Sequence, residues 1–420
     1  MISVEEALQK ILDFVTVLCN ENKPILNCLG QVLANDVKSS FDVPPSDNSA
    51  MDGYATREDS IDAANSKNPK KLRVIGQIPA GALTDTFVEK DTAIRIMTGA
   101  VIPKGADVVV PFEDTDENER KQSPSDKKEI GIYKSLKAGS NIRRKGEDVK
   151  AGAVVLKQDS VLAPADIGVL ASIGKSKVSV IRRPVIGILA TGNEVFDLDK
   201  KLLPGKIYNS NSYSLAAQVL SCGGVPNLLG IAKDDTDQLT SALRKGLGCD
   251  MLITSGGVSV GDYDVVKEVL AAEGSITFWT VRMKPGKPLA FGIFTRDDGT
   301  KIAHLGLPGN PVSSMVTFEV FVRPAIFKMM GKKDWKRPVV KAIFEDSIQN
   351  KDGRRIFARV VVAKRKNEYF CRLTGEQGSG ILTSMATADG LAIIPETTHE
   401  VNPGEILNVM ILNSDVFFYK

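Results

Sequence analysis

From residue 178 to about 330 the chain alternates between two kinds of segment. Short apolar runs, "VIGILAT", "NLLGIAK", "DMLITS" and "IAHLGLP", are separated by longer amphipathic ones: "NSYSLAAQVLSCGG", "TDQLTSALRKGLG", "DYDVVKEVLAAEG" and "NPVSSMVTFEVFVRPAIFKMM". Runs of the first kind have the length and apolar character of strands covered on both faces. Those of the second kind carry helical spacing, and glycine ends three of them. Few topologies satisfy this rhythm, because parallel strands need a crossover and crossovers in one sheet are right-handed. The segment is therefore predicted to be an α/β domain with a parallel sheet, with ligands bound beyond the carboxyl ends of its strands.

The flanks read differently. Residues 3 to 18 place Val4, Ala7, Ile11, Phe14 and Val15 on one helical face, and a second short helix is expected near 25 to 34. "FDVPPSDNSAMDGYA" is a proline-braced loop. From about 70 to 155, β-rich runs separated by Gly and Pro predict a small β domain, and "APADIGVLASIG" after it a short helix ending at glycine. Beyond 335 the runs "RPVVKAIF", "RIFARVVVAKR", "YFCRLT", "GLAIIP" and "EILNVMIL" predict a second β domain or barrel. A chain of 420 residues suggests two to four domains.

Composition narrows the function class. A net charge of +3 gives no argument for nucleic acid. No apolar stretch is long enough to span a bilayer, and "MISVEEALQK" lacks the pattern of a signal peptide. The five cysteines form no CxxC pair, so reduced thiols and a cytoplasmic location are expected. With two histidines in the chain, a histidine-based metal site or triad is disfavoured.

Three loops stand at predicted strand ends: "ATGNE", "SGGVSVGDYD" and "LPGNPVS". Each offers backbone N–H groups and a helix start to an anion, so a phosphate-bearing ligand is expected. Neither GxGxxG nor GxxxxGK[ST] occurs. Glu194, Asp234, Asp235, Asp262 and Asp264 follow the strands, and on a parallel sheet they converge on one edge. Hard carboxylate oxygens beside phosphates suit Mg²⁺. Helix capping explains Asp234, Asp235 and Asp262 as well. In "VRMKPGKPLAF", Lys284 and Lys287 flank Gly286 between two prolines, a fixed pair of cations for an oxyanion or else a solvated turn. Arg282 shares strand parity with Lys284. Two further loops, "RIMTGAVIPKGAD" with Thr98 and Lys104 and "NIRRKGED" with Arg143, Arg144, Glu147 and Asp148, hold more polar groups than turning requires, as does the Asp47–Tyr54 loop with Asp52.

Taken in order, "DVPPSDNSAMDGYA", "RIMTGAVIPKGADVVV", "NIRRKGEDVKAGAVVL", "LATGNEV", "TSGGVSVGDYD", "MKPGKP" and "LPGNPVS" resemble the motifs of molybdopterin molybdotransferases, the MoeA family that includes the E domain of gephyrin. The resemblance implies four domains: an elongated domain from 1–45 plus 140–176, a β domain inserted at 46–139, an α/β molybdopterin-binding domain similar to MogA at 177–330, and a small β-barrel at 335–420. It implies a homodimer with a composite active site, and a molybdopterin adenylyltransferase as upstream partner. The implied reaction inserts molybdate into adenylated molybdopterin, with Mg²⁺ or another divalent cation, and releases AMP.

By the same resemblance, Ser255, Gly256, Gly257, Ser259 and Gly261 hold the nucleotide phosphates. Glu194 and Asp264 hold the metal, and Asp234 supports them. Asp52, Thr98 and Asp148 reach the site from the partner chain. Lys284 and Lys287, with Pro308, Gly309 and Asn310, line the pterin-phosphate and molybdate end, and Arg355 and Ser384 add oxyanion contacts. Thr280 stands where many members carry Lys, with Arg282 as the compensating cation. Alternatives are a dimeric scaffold of the gephyrin type, a tungstate-preferring insertase, a phosphohydrolase on the same sheet, and the adenylyltransferase, which is normally a single domain.

Overall fold

The computed structural model of the chain describes residues 1–122, 128–199, 201–256, 269, 272 and 274–413. Two compact units are present: Pro24–Asn27 with Asn35–Val178, and Met1–Lys23 with Cys28–Ala34 and Ser179–Lys420. Helix α1 (Val4–Phe14) opens the larger unit. Ser3 caps it, accepting from the Glu6 N–H at 3.1 Å, and Glu5 and Glu6 oppose the positive end of the helix dipole. Val4, Ala7 and Ile11 are buried, on the face that the 3.6-residue period predicts. The second helix expected near 25–34 is not formed. Only Ile25–Cys28 turn, as a 3₁₀ helix, and the Ala34 N–H is committed to the Ser179 carbonyl at 3.0 Å beside a bridge between Leu33 and Val180.

The smaller unit is a five-stranded mixed sheet. Its strands are β1 (Gly53–Thr56), β2 (Lys70–Ile78), β3 (Thr92–Ile96), β4 (Val108–Pro111) and β5 (Glu129–Ile132), in the spatial order β4-β1-β3-β2-β5. Side chains alternate between two buried clusters: Tyr54, Ala93 and Val110 face one, and Ala55, Ile94 and Val109 the other. Helix α2 (Pro164–Ser172) begins with proline in its first turn, and the Asp166 carboxylate accepts from the Ala163 N–H at 2.8 Å.

The larger unit carries the predicted α/β domain, with one correction. Its strands are β6 (Val185–Thr191), β7 (Val225–Ala232), β8 (Met251–Ser255), β9 (Gly274–Thr280), β11 (Pro288–Thr295) and β12 (Lys301–Leu307), with β10 (Met283–Lys284) set apart from the sheet. The order is β7-β6-β8-β12-β11-β9. The first four run parallel, whereas β11 pairs antiparallel with β12, and β9 antiparallel with β11, at the edge. The sheet is therefore mixed, and β11 begins inside what the sequence suggests is a proline-rich loop. Proline can open a strand where no ladder N–H is needed.

On the parallel strands, Ile186, Ile188, Met251, Ile253, Ala303 and Leu305 face one core, and Leu189, Leu252 and Ile302 the other. The first core is covered by α3 (Ser210–Cys222), α5 (Pro311–Thr317) and α6 (Arg323–Met329); the second by α4 (Thr236–Gly246). A π-helical turn, Phe318–Val322, joins α5 to α6 just before Pro324, which has no N–H to continue an α-helical ladder. The helix expected from "DYDVVKEVLAAEG" falls almost entirely outside the described residues.

The terminal segment closes into a barrel of β13 (Val339–Phe344), β14 (Arg355–Arg365), β15 (Glu368–Leu373), β16 (Gly390–Ile394) and β17 (Ile406–Ile411). Pairing between β14 and β16 completes the ring and removes the free edges. The two-residue β10 adds to it, parallel to β14. Among the described residues no helix is long and apolar enough to cross a membrane. The five cysteines are free thiols, four of them buried.

Candidate functional site

The carboxyl ends of β6, β8 and β12 meet at a cleft of about 700 Å³. All of its lining comes from the larger unit. Gly256 follows β8 at φ 106° and passes so close to β6 that a Cβ there would lie 2.8 Å from the Thr191 carbonyl oxygen and from its Oγ1. Only glycine permits that approach. The Gly256 N–H donates to the Leu307 carbonyl at 3.1 Å, which ties the loop to the end of β12. Pro308, Gly309 and Asn310 then lead into α5 along the cleft wall.

Two acids face this space. Glu194 is exposed and folds back over Gly192, where a Cβ would come within 2.6 Å of its carboxylate. Asp234 is half-buried and accepts from the Asn193 N–H at 3.3 Å. Neither forms a salt bridge among the described residues, so both keep oxygen lone pairs toward the cleft. Among the described residues no three His, Cys, Asp or Glu gather into a metal cage. Two free carboxylates fit a hard divalent cation that keeps phosphate and water ligands of its own. Asp235 has a different use: it caps α4, accepting from the Gln238 N–H at 2.9 Å. Gly257, Ser259, Gly261 and Asp264 lie outside the described residues.

The lining is also cationic. Lys284, Lys287 and Arg354 all border the cleft. Gly286 turns the Lys-Pro-Gly-Lys segment at φ 101°, and a side chain there would meet the Thr317 Oγ1 at 2.6 Å. Asp352 pairs with Lys284 at 3.7 Å and with Arg354, so part of this charge is offset locally. Lys287 is exposed and has no carboxylate partner among the described residues.

Three expected residues are not among those that line this cleft. Arg355 does not line the cleft, because it pairs with Glu5 and with Glu396 at 3.1 Å. Ser384 is buried with its hydroxyl spoken for: Oγ accepts from Arg359 Nε at 2.6 Å and donates to the Ile381 carbonyl at 2.7 Å. Arg282 also stays off the cleft. Val281 and Met283 are buried and Arg282 and Lys284 exposed in alternation, yet only Lys284 of the two lines the cleft. Thr280 ends β9 opposite Pro288, exposed.

The barrel's contribution comes instead from Arg354 and from Gln377, Gly378 and Ser379. A fully buried Arg359 holds that loop: its Nη2 donates to the carbonyls of Glu376 and Gly378, both at 3.0 Å, and its backbone N–H donates to the Gln377 Oε1 at 2.8 Å. No carboxylate is bonded to this guanidinium among the described residues. The signal that exposed the other loops, glycine and small polar residues at a strand end, is present in "EQGSG" as well.

In the smaller unit, the Asp52 carboxylate accepts from both the N–H and the Oγ1 of Thr98, at 2.7 and 2.8 Å. These bonds hold its carboxyl below the usual carboxylate range. Asp47 is pinned in the same way by the Lys145 N–H and Arg144. Asp148 is exposed and its side chain has no bonded partner among the described residues.

A mixed α/β domain with glycine loops, carboxylates and a lysine pair at its strand ends is thus joined to a small closed barrel. The comparisons give the family. Residues 2–174 match the MoeA N-terminal region (domain I and II), 187–328 the probable molybdopterin binding domain, and 341–412 the MoeA C-terminal region (domain IV). The molybdopterin molybdenumtransferase 2 of Mycobacterium tuberculosis is 36% identical over 416 residues, covering 97% of this chain and 99% of its own. The molybdopterin molybdenumtransferase of a Nostoc species is 38% identical over 390 residues, covering 91% of this chain and 86% of its own. A crystal structure of the molybdopterin biosynthesis MoeA protein of Pyrococcus horikoshii superposes with a TM-score of 0.80 at 30% identity, covering 98% of this chain and 99% of that one. The chain belongs to the MoeA family.

Proposed function

We propose that this protein is a molybdopterin molybdenumtransferase, a transferase of molybdenum cofactor biosynthesis that inserts molybdate into adenylated molybdopterin and releases AMP. The observation that carries the reading is one cleft lined by both acids and cations. Glu194 and Asp234 follow β6 and β7, whereas Lys287 precedes β11, three positions from β6 in the sheet order, and Lys284 and Arg354 line the same cleft. A ligand with a phosphoanhydride at one end and an oxyanion at the other matches both.

In this reading the Ser255–Gly261 loop and the Pro308–Asn310 loop hold the phosphates through backbone N–H groups. Glu194 and Asp264, with Asp234 behind them, hold Mg²⁺. The cation, when bound, neutralises phosphoanhydride charge and polarises phosphorus toward water. Lys284, Lys287 and Arg354 hold molybdate against the dithiolene, and the Gln377–Ser379 loop closes the oxyanion end. The working protein is a homodimer in which Asp52, Thr98 and Asp148 of one chain complete the cleft of the other, and an adenylyltransferase supplies the substrate.

A second reading, tungstate preference, rests on Thr280 in a position where many members carry Lys. One experiment addresses both. Purified protein is mixed with adenylated molybdopterin and Mg²⁺, with molybdate, with tungstate or with neither, and AMP is measured. Molybdate-dependent release that Asp264→Ala abolishes is expected. Release with tungstate alone selects the second reading. Tight binding without release under either oxyanion moves the chain to a scaffold role.

A further inference from the structure

Asn211, the second residue of α3, touches two of the three strand-end loops. Its amide nitrogen lies 2.8 Å from the Ser255 Oγ and 2.8 Å from the Gly309 carbonyl oxygen. A backbone carbonyl can only accept. The amide must therefore present nitrogen to both, because the reversed amide would set two oxygens against each other. One Asn211 hydrogen goes to Gly309 and the other to Ser255. The Ser255 hydroxyl is then an acceptor on the Asn211 side, and its own proton must leave in another direction. Ser255 is 4% exposed, and no group among the described residues accepts that proton. The next residue, Gly256, lines the cleft. The Asn211 Oδ1 is itself buried without a partner. A residue present only for packing need not leave a buried acceptor unpaired, since such groups are costly and rare.

We infer that Asn211 is a positioning residue: it turns the Ser255 hydroxyl proton toward the phosphate of the bound nucleotide and fixes the spacing of the Ser255 and Gly309 loops. The inference rests on the nucleotide reading given above. Both contacts use amide donors, so the informative substitution is Asn211→Asp. It keeps the shape, replaces the amide donor by an acceptor, draws the Ser255 proton back to itself and repels the Gly309 carbonyl.

The test is calorimetric binding of AMP with Mg²⁺ to the full-length protein. Asn211→Ala and Ser255→Ala are each expected to raise Kd roughly ten- to a hundredfold, the worth of one hydrogen bond to a charged group. The double variant should bind within about twofold of the weaker single one, because Asn211 acts through Ser255. Asn211→Asp should bind weakly at pH 7.5, and its deficit relative to wild type should shrink toward pH 5 as the new carboxyl regains a proton to donate. Multiplied losses in the double variant, or a deficit that stays constant with pH, overturn the inference. So does unchanged affinity in Asn211→Ala. If Asn211→Ala folds poorly, the pH series of Asn211→Asp decides. Absence of AMP binding by the wild type overturns the nucleotide reading itself, and the assignment of Asn211 with it.

Discussion

Lys284 and Arg354 share one carboxylate, Asp352, whereas Lys287 has none among the described residues. Removing the unpaired cation and removing the competing carboxylate should have opposite effects. Lys287→Ala is expected to raise the molybdate concentration for half-maximal AMP release about tenfold, with a smaller change in kcat, as the loss of one charge-assisted contact to an oxyanion would. Asp352→Asn should lower it, because the competing acceptor is removed; a rise would mean that Asp352 orients the lysine rather than competing for it. Lysines 284 and 287 were legible in the sequence because proline and glycine fence them into a turn. Arg354 was not, since its neighbour Arg355 is an equal candidate until the chain is folded. What separates them is Glu5, 350 positions away, which with Glu396 captures Arg355. Ser384 misleads for a similar reason: the hydroxyl is there, but the buried Arg359 claims it.

At the scale of elements, β12 carries an uncommon passenger. His304 is fully buried, with Nε2 3.0 Å from the Thr254 Oγ1, an edge contact to Phe294, and Nδ1 unpartnered. Burial lowers its pKa to about 3, against 6.5 for a free imidazole. The unfolded chain therefore takes up a proton below pH 6.5 that the folded chain refuses until about pH 3. Stability is complete above pH 6.5 and declines through that window, by roughly 1.4 kcal/mol per pH unit for this one group. Denaturant titrations at pH 7 and pH 5, followed by tryptophan fluorescence, should show wild type losing about 2 kcal/mol more than His304→Gln over that interval. Both tryptophans, Trp279 and Trp335, lie in the larger unit and so report on it. Equal losses would mean that the imidazole finds a proton acceptor in the folded chain. The parallel strands and their helices were legible from period and length alone. The antiparallel pair β9 and β11 was not, because prolines at 285 and 288 read as loop and conceal a strand that starts on one of them. The missing helix near 25–34 has the opposite cause: its local pattern suits a turn of helix, but backbone pairing with residues 179–181 takes the hydrogen bonds.

For the whole molecule, the resemblance predicts a site completed by a second chain, and that is testable without seeing the interface. Asp52→Ala and Glu194→Ala should each be inactive alone. If one chain lends Asp52 to the other's Glu194, mixed dimers hold one intact site, and a re-equilibrated equal mixture should recover about a quarter of wild-type activity. No recovery, with mixed dimers shown to form, would place both residues in one chain's own site. The β character of the flanks and the α/β rhythm between them were legible because each region keeps its own period; a contribution from a second chain leaves no such mark in the sequence. The lysine turn has a consequence of its own. Lys284 lies on β10, which hydrogen-bonds to the barrel strand β14, and Lys287 directly precedes β11 of the α/β sheet. The turn thus joins the α/β sheet to the barrel, which keeps an interior of its own and also packs Phe357, Met385 and Leu391 into the α/β core. An anion held by both lysines would be a strut between them, and since linkage is reciprocal, filling the cleft would brace the barrel as much as the barrel holds the anion.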